Sequence, residues 1–139
     1  MNFGRGLVPA RILSFEGLLR GIMERIFKAF INSMRALNHL ARHEKPVQQE
    51  LVLLLVALPV AWFVAADMTA YLLLVGAVLF LLLVEVINTS VEATCNAISR
   101  DFKKDIQIAK DCGSLAVLIA SIMCAAVWIY YLWPLIFSA

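Results

Sequence analysis

Three long apolar segments, separated by short polar connections, occupy most of the chain after residue 50. They cover residues 51–66, 70–93 and 112–137. A helix rises about 1.5 Å per residue, so about 20 apolar residues cross the hydrocarbon core of a bilayer. The first segment is short for this purpose, and we expect it to recruit flanking residues. The pattern predicts three transmembrane helices, over about residues 48–66, 70–95 and 108–137.

An amphipathic segment precedes the first apolar segment. Its apolar residues recur three or four positions apart and predict one face of a helix, which comprises Phe27, Phe30, Met34, Leu37 and Ala41. Basic and polar residues step along another face in the same way. This pattern is typical of a helix lying on an anionic membrane surface. We predict a surface helix over about residues 18–45, an aperiodic N-terminal arm over 1–17, and one membrane domain over 18–139.

The composition excludes an ordinary soluble domain. Hydrophobic residues make up 63% of the chain and charged residues 16%, against about 25% charged residues in soluble proteins. The three cysteines show neither the number nor the spacing of a disulfide framework or a zinc site, so we expect all three to pack as small apolar residues. The chain is therefore predicted to be an integral membrane protein that binds no nucleic acid.

The distribution of lysine and arginine predicts the orientation in the membrane. Eight lie before the first apolar segment and four between the second and third segments, whereas the first turn and the C-terminal tail have none. Because basic loops stay in the cytoplasm, we expect the N-terminus and the second loop to be cytoplasmic. Asp67 and the C-terminus are then expected on the opposite side.

Polar residues at the end of the second span require an explanation. Glu85, Asn88 and Glu92 share one helix face, and a charge at the bilayer centre costs about 2.5–3.5 kcal/mol even on the lenient insertion scale. A hydrogen-bonded cluster between helices, a proton or ion relay, and a binding site would each account for them.

The segment AKDCGS, residues 109–114, favours the binding site. Carboxylates hold Mg²⁺, a lysine attracts phosphate, and a helix N-terminus adds backbone donors. The combination indicates a metal and phosphate site at the inner membrane surface, for a nucleotide or a phospholipid headgroup. The chain has no Walker motif and no protein-kinase signature. A small ion carrier and a non-catalytic assembly subunit remain as alternatives.

The segments EVINTSVEA and AKDCGSLAVLI resemble the prokaryotic diacylglycerol kinase family. The hallmark of that family is matched at each position from Glu85 to Glu92, and Lys110 and Asp111 follow at its spacing. The resemblance runs from about residue 25 to 133. It implies an all-α membrane protein, with three transmembrane helices and an amphipathic surface helix, that assembles as a homotrimeric bundle in the bacterial inner membrane.

The resemblance also implies phosphorylation of a lipid hydroxyl with ATP and Mg²⁺. Glu85 would be the general base, Glu44 and Glu92 would hold the metal, and Asn88 would orient groups between them. Lys110 would neutralise charge on the transferred phosphoryl group, and Asp111 would contact the nucleotide. The residues expected to line the nucleotide or lipid side are Arg25, Ser33 and Glu50.

Three positions depart from the family pattern. Asn96 stands where members of the family carry aspartate, Gln48 replaces an arginine, and Met34 replaces a tryptophan. These departures bear on lipid and nucleotide contacts and leave the segment from Glu85 to Glu92 intact. The family includes diacylglycerol kinases and undecaprenol kinases, and the Gly-Ser pair after Lys110 and Asp111 favours diacylglycerol as substrate.

Overall fold

The protein is helical throughout the part that the structure describes. The computed structural model describes residues 10–99, 101 and 103–137, with side chains from residue 17 onward. These residues form four α-helices and no strand: α1 (Ala10–His43), α2 (Lys45–Val64), α3 (Met68–Ile98) and α4 (Lys104–Phe137). The last three are long and apolar enough to cross a membrane. The predicted all-α membrane fold with three spanning helices is confirmed.

The first helix begins earlier than its apolar periodicity predicted. It starts at Ala10 rather than near residue 18, while residues 1–9 of the predicted arm lie outside the described residues. Good helix formers such as alanine, leucine and arginine are frequent in its first turns, and they can extend a helix beyond its amphipathic part. The chain divides into two compact units, one up to His39 and one from Leu40 onward.

Proline and aspartate set the start of two spanning helices. Pro46 lies in the first turn of α2, where the missing N–H breaks no helical hydrogen bond. Helix α2 begins at Lys45, one residue before Pro46, and α1 has already ended at His43. Asp67 caps α3 by accepting a hydrogen bond from the Ala70 N–H at 2.8 Å. The three residues between α2 and α3 thus form a tight turn.

The spanning helices pack through small side chains. One buried cluster joins α2, α3 and α4, and comprises Ala57, Val78, Leu81, Ala120 and Cys124. A second cluster comprises Ala61, Leu74 and Val75. Alanine and cysteine at these positions let helices approach closely, which is how membrane helices gain packing energy.

The three cysteines are free thiols, and their environments differ. Cys95 and Cys124 are buried, as expected for small packing residues. Cys112 is exposed within this chain, so the prediction that all three pack inside is wrong for this one. The next residue, Gly113, faces α3 in its place.

Candidate functional site

Polar residues continue the buried face of α3 towards its C-terminal end. Leu74, Val78 and Leu81 are buried, and the same alternation of four and three positions continues to Glu85 and Asn88. These two side chains are only 5% and 8% exposed, and Glu92, one further step along, is partly buried. The predicted common face is therefore confirmed, and it points into the helix bundle.

Four carboxylates share one electrostatic neighbourhood. The charges of Glu92 and Glu44 both act on Glu85, and the charge of Glu85 acts on Glu50. Glu50 and Glu44 are partly buried, and one Glu50 carboxylate oxygen, Oε2, is buried with no hydrogen-bond partner in the described residues. Acidic groups whose charges act on one another favour a cation or a donor group near them.

Asn88 occupies the contact between α3 and α4. A Cβ atom built on Gly113 of α4 would clash with Asn88 Oδ1, and Asn88 Cγ would lie 3.4 Å from it. Asn88 Oδ1 is buried and has no hydrogen-bond partner among the residues that the structure describes. Buried polar atoms are nearly always hydrogen-bonded, so an open acceptor here indicates a place for a ligand or a water molecule.

Lys110 is held from the opposite helix. Its Nζ donates a hydrogen bond to Asn96 Oδ1 at 2.8 Å, which links the cytoplasm-side ends predicted for α3 and α4. Lysine has three donors and no acceptor, so two donors remain for other partners. Asp111, the next residue, is exposed.

The expected helix N-terminus beside Lys110 is not found there. Helix α4 begins at Lys104, so Lys110 and Asp111 lie inside it. The Gln107 N–H is already bonded to the Lys103 carbonyl at 3.0 Å, as in a continuous helix. Residues 109–114 therefore offer side chains but no free backbone donors, and Asp111 does not cap the helix. Residues 104–107, which were predicted to precede the third span, are therefore helical.

Arg25 and Ser33 lie on α1, in the unit that ends at His39. Both are exposed within it. All other predicted site residues lie in the second unit. Their roles in catalysis and binding stay predictions.

An apolar cavity lies between the spanning helices. Its volume is about 330 Å³, and its lining includes Leu53, Ala57, Leu81 and Cys124. Leu53 follows Glu50 by three positions, and Leu81 precedes Glu85 by four, so each lies about one helical turn from a carboxylate of the cluster. The end of the cavity at Leu53 and Leu81 is therefore the end nearest to the polar face of α3.

Gly113 and the contact of Asn96 were not singled out as site features from the sequence. Asn96 was recognised only as a lost carboxylate. The signals were present in the Gly-Ser pair after Lys110 and Asp111 and in the position of Asn96, four residues after Glu92 on the same helix. Which side chains Gly113 and Asn96 contact depends on the neighbouring helix.

Comparison with known proteins gives one consistent result. A sequence profile described as prokaryotic diacylglycerol kinase matches residues 31–132. Proteins named diacylglycerol kinase from Escherichia coli (strain K12) and Shigella flexneri are each 34% identical over 109 residues, which covers 78% of this chain and 89% of each relative.

A protein of the same name from Helicobacter pylori (strain J99) is 30% identical over 115 residues, covering 83% of this chain and 90% of the relative. The profile match covers α2, α3, most of α4 and every carboxylate of the cluster. The chain belongs to the prokaryotic diacylglycerol kinase family and is a membrane-bound lipid kinase.

Proposed function

We propose that this enzyme transfers the terminal phosphoryl group of ATP to the hydroxyl of diacylglycerol and so forms phosphatidic acid. The relatives that carry the name diacylglycerol kinase support this choice of substrate. The observation that carries the proposal is Glu85, a carboxylate only 5% exposed, about one turn from an apolar cavity. A lipid alcohol with its acyl chains in the bilayer needs a base at that depth.

In the proposed reaction, Glu85 acts as the general base. Glu85 accepts the proton of the lipid hydroxyl, and the hydroxyl oxygen forms a bond to the terminal phosphorus of ATP. The bond from that phosphorus to its bridging oxygen breaks, and ADP leaves with the electron pair. Because phosphoryl transfer depends mainly on positioning and charge neutralisation, the surrounding residues contribute through geometry and charge.

The nucleotide is proposed to lie beside Lys110 and Asp111. The two donors that Lys110 keeps after bonding Asn96 suit phosphate oxygens. Asp111 is exposed and close in sequence to this ammonium, so its carboxylate can accept hydrogen bonds from the nucleotide. Arg25 is proposed to contribute a further positive charge, while Ser33 and Glu50 contact the lipid side.

The carboxylates suit Mg²⁺. Glu44 and Glu92 both act electrostatically on Glu85, and Mg²⁺ is usually bound by one or two carboxylates together with substrate phosphates. Among the residues that the structure describes, no three His, Cys, Asp or Glu side chains converge on one point, so phosphate oxygens and water would complete the shell. When bound, the ion neutralises phosphate charge.

Undecaprenol is the alternative substrate. Its chemistry is the same, a membrane-embedded primary alcohol, and the base, the lysine and the metal carboxylates would serve it equally. The Gly-Ser pair at Gly113 and Ser114 favours diacylglycerol. An ion or proton carrier, the alternative from another class, gains no support from membership in a kinase family.

The test is a lipid phosphorylation assay in mixed micelles with labelled ATP and Mg²⁺. Wild type is expected to phosphorylate diacylglycerol in preference to undecaprenol. Glu85→Gln keeps the shape of the side chain but cannot take a proton, so turnover is expected to fall by roughly 10²–10⁴-fold with an unchanged helix content by circular dichroism.

Glu24→Gln is the matched control, since Glu24 is an exposed glutamate on α1 that contacts Lys28 at 4.0 Å. This variant is expected to keep wild-type turnover. Wild-type activity in Glu85→Gln would reject the assigned base, and preference for undecaprenol would replace the proposed substrate. A lack of activity with both lipids would reject the proposed function.

A further inference from the structure

The contact between Gly113 and Asn88 is the closest approach between α3 and α4 that the described glycines reveal. Gly17, Gly21 and Gly76 have open space where a Cβ would lie, with nothing within 4 Å. At Gly113 the space for a Cβ is filled by the Asn88 side chain. The absence of a side chain at residue 113 therefore makes room for the Asn88 amide.

The oxygen of this amide is unusual because it is buried without a hydrogen-bond partner. Asn88 is 8% exposed, and within the described part of the chain its Oδ1 accepts no hydrogen bond. Burying such an oxygen costs free energy, which a structural role alone would not explain, because alanine would fill the contact without that penalty. Asn88 also precedes Glu92 by four residues and follows Glu85 by three, so its amide lies on the same helix face as both carboxylates.

We propose that Gly113 is a positioning residue for the lipid kinase reaction, because its missing side chain holds the Asn88 amide oxygen open beside Glu85. This inference rests on the proposed function of Glu85. The oxygen accepts a hydrogen bond from a donor that arrives with the substrates. A methyl group at residue 113 pushes the amide out of the interface and away from that donor.

The experiment measures kcat and the two KM values of Gly113→Ala, alone and combined with Asn88→Ala. Gly113→Ala is expected to lower kcat at least about tenfold, with the KM for ATP changed less than about twofold, because transition-state positioning is lost rather than nucleotide binding. Asn88→Ala removes the oxygen that would clash. In that background, Gly113→Ala is expected to change kcat less than about twofold.

Gly76→Ala is the matched control. It adds the same methyl group to a glycine inside a spanning helix, where the space is open. Its kcat is expected to equal that of wild type. If Gly113→Ala keeps wild-type kcat, or lowers kcat by the same factor with and without Asn88→Ala, the inference is overturned.

Thermal unfolding in detergent separates positioning from folding. A purely structural role for Gly113 predicts lower thermal stability with the kcat of the folded protein unchanged, and this result would also overturn the inference. Should Gly113→Ala fail to fold, the clash is supported if the double variant folds and rejected if it does not.

The outcome also separates this inference from the proposed function. A wild-type protein that phosphorylates neither lipid rejects the proposed function. Unfolding temperatures then still test the contact. If Gly113→Ala lowers stability equally with and without Asn88→Ala, the steric link between residues 88 and 113 is rejected.

Discussion

A hydrogen bond between α3 and α4 positions the Lys110 ammonium group. The acceptor, Asn96 Oδ1, belongs to a neutral amide, so the ammonium keeps its full attraction for phosphate. An aspartate at residue 96 would form an ion pair with Lys110 instead. The amide therefore fixes the lysine without competing electrostatically with the phosphates of the proposed nucleotide.

Asn96→Asp is expected to raise the KM for ATP about fivefold or more, because the new carboxylate pairs with Lys110 and repels phosphate. The effect should shrink at high ionic strength, since both groups are near solvent. Steady-state kinetics at two salt concentrations measure it.

Ala97→Asp is the control, because it adds the same charge one residue further along α3. Its KM for ATP should change less than that of Asn96→Asp. Equal changes in the two variants would mean that local charge matters and the hydrogen bond to Lys110 does not.

At the scale of elements, α3 and α4 are joined along much of their length. Near the end predicted to face away from the cytoplasm, Trp128 Nε1 donates a hydrogen bond to the Leu74 carbonyl at 3.2 Å. Near the other end, Asn96 and Lys110 form the second polar link. The small residues between them, such as Ala120, allow close packing. The two links fix the register in which α4 meets the polar face of α3.

Trp128→Phe keeps most of the ring and removes the donor. We expect it to lower the free energy of unfolding by about 0.6–2 kcal/mol, the range for hydrogen bonds between membrane helices. Reversible unfolding in mixed micelles measures the change.

Trp133→Phe is the matched control, because Trp133 is exposed on the same helix and its ring lies against Phe137. It should change stability less than Trp128→Phe. A Trp128→Phe protein as stable as wild type would show that the hydrogen bond to Leu74 adds nothing to helix packing.

At the scale of the whole molecule, one chain leaves much of its spanning helices uncovered by protein. Only Ala120 and Cys124 are buried in the 34 residues of α4. We propose that copies of this chain associate as a homotrimer, as the family resemblance implies, and that this association covers part of these helices. The mass of the detergent-solubilised complex tests the number of subunits.

The basic loops predict that the second loop lies in the cytoplasm, and the family resemblance implies the bacterial inner membrane. To test this, Cys95, Cys112 and Cys124 are replaced by serine or alanine, and a cysteine is introduced by Asp101→Cys or Asp67→Cys. A membrane-impermeant thiol reagent is expected to label the residue at 101 only in inside-out vesicles. The residue at 67 should react only from the other side. The reverse pattern would place the kinase site on the wrong side of the membrane for cellular ATP.

Hydropathy and helical spacing predicted the spanning helices and the residues that share the polar face of α3. Apolar segments of sufficient length predicted the three spanning helices, since the bilayer core requires about 20 apolar residues. Spacing alone put Glu85, Asn88 and Glu92 on one face, because 3.6 residues per turn relate positions within any single helix. The identity of these residues indicated metal and phosphate chemistry before any contact was known.

The tertiary structure alone decided which residues meet across helices. The gap left by Gly113 for Asn88, and the bond from Lys110 to Asn96, depend on the distance and register between α3 and α4. The apolar pattern does not encode these quantities, because side chains facing lipid and side chains facing another helix are equally hydrophobic. The apolar pattern also did not reveal that α4 begins at Lys104, because the residues that extend this helix beyond the membrane-crossing part are polar.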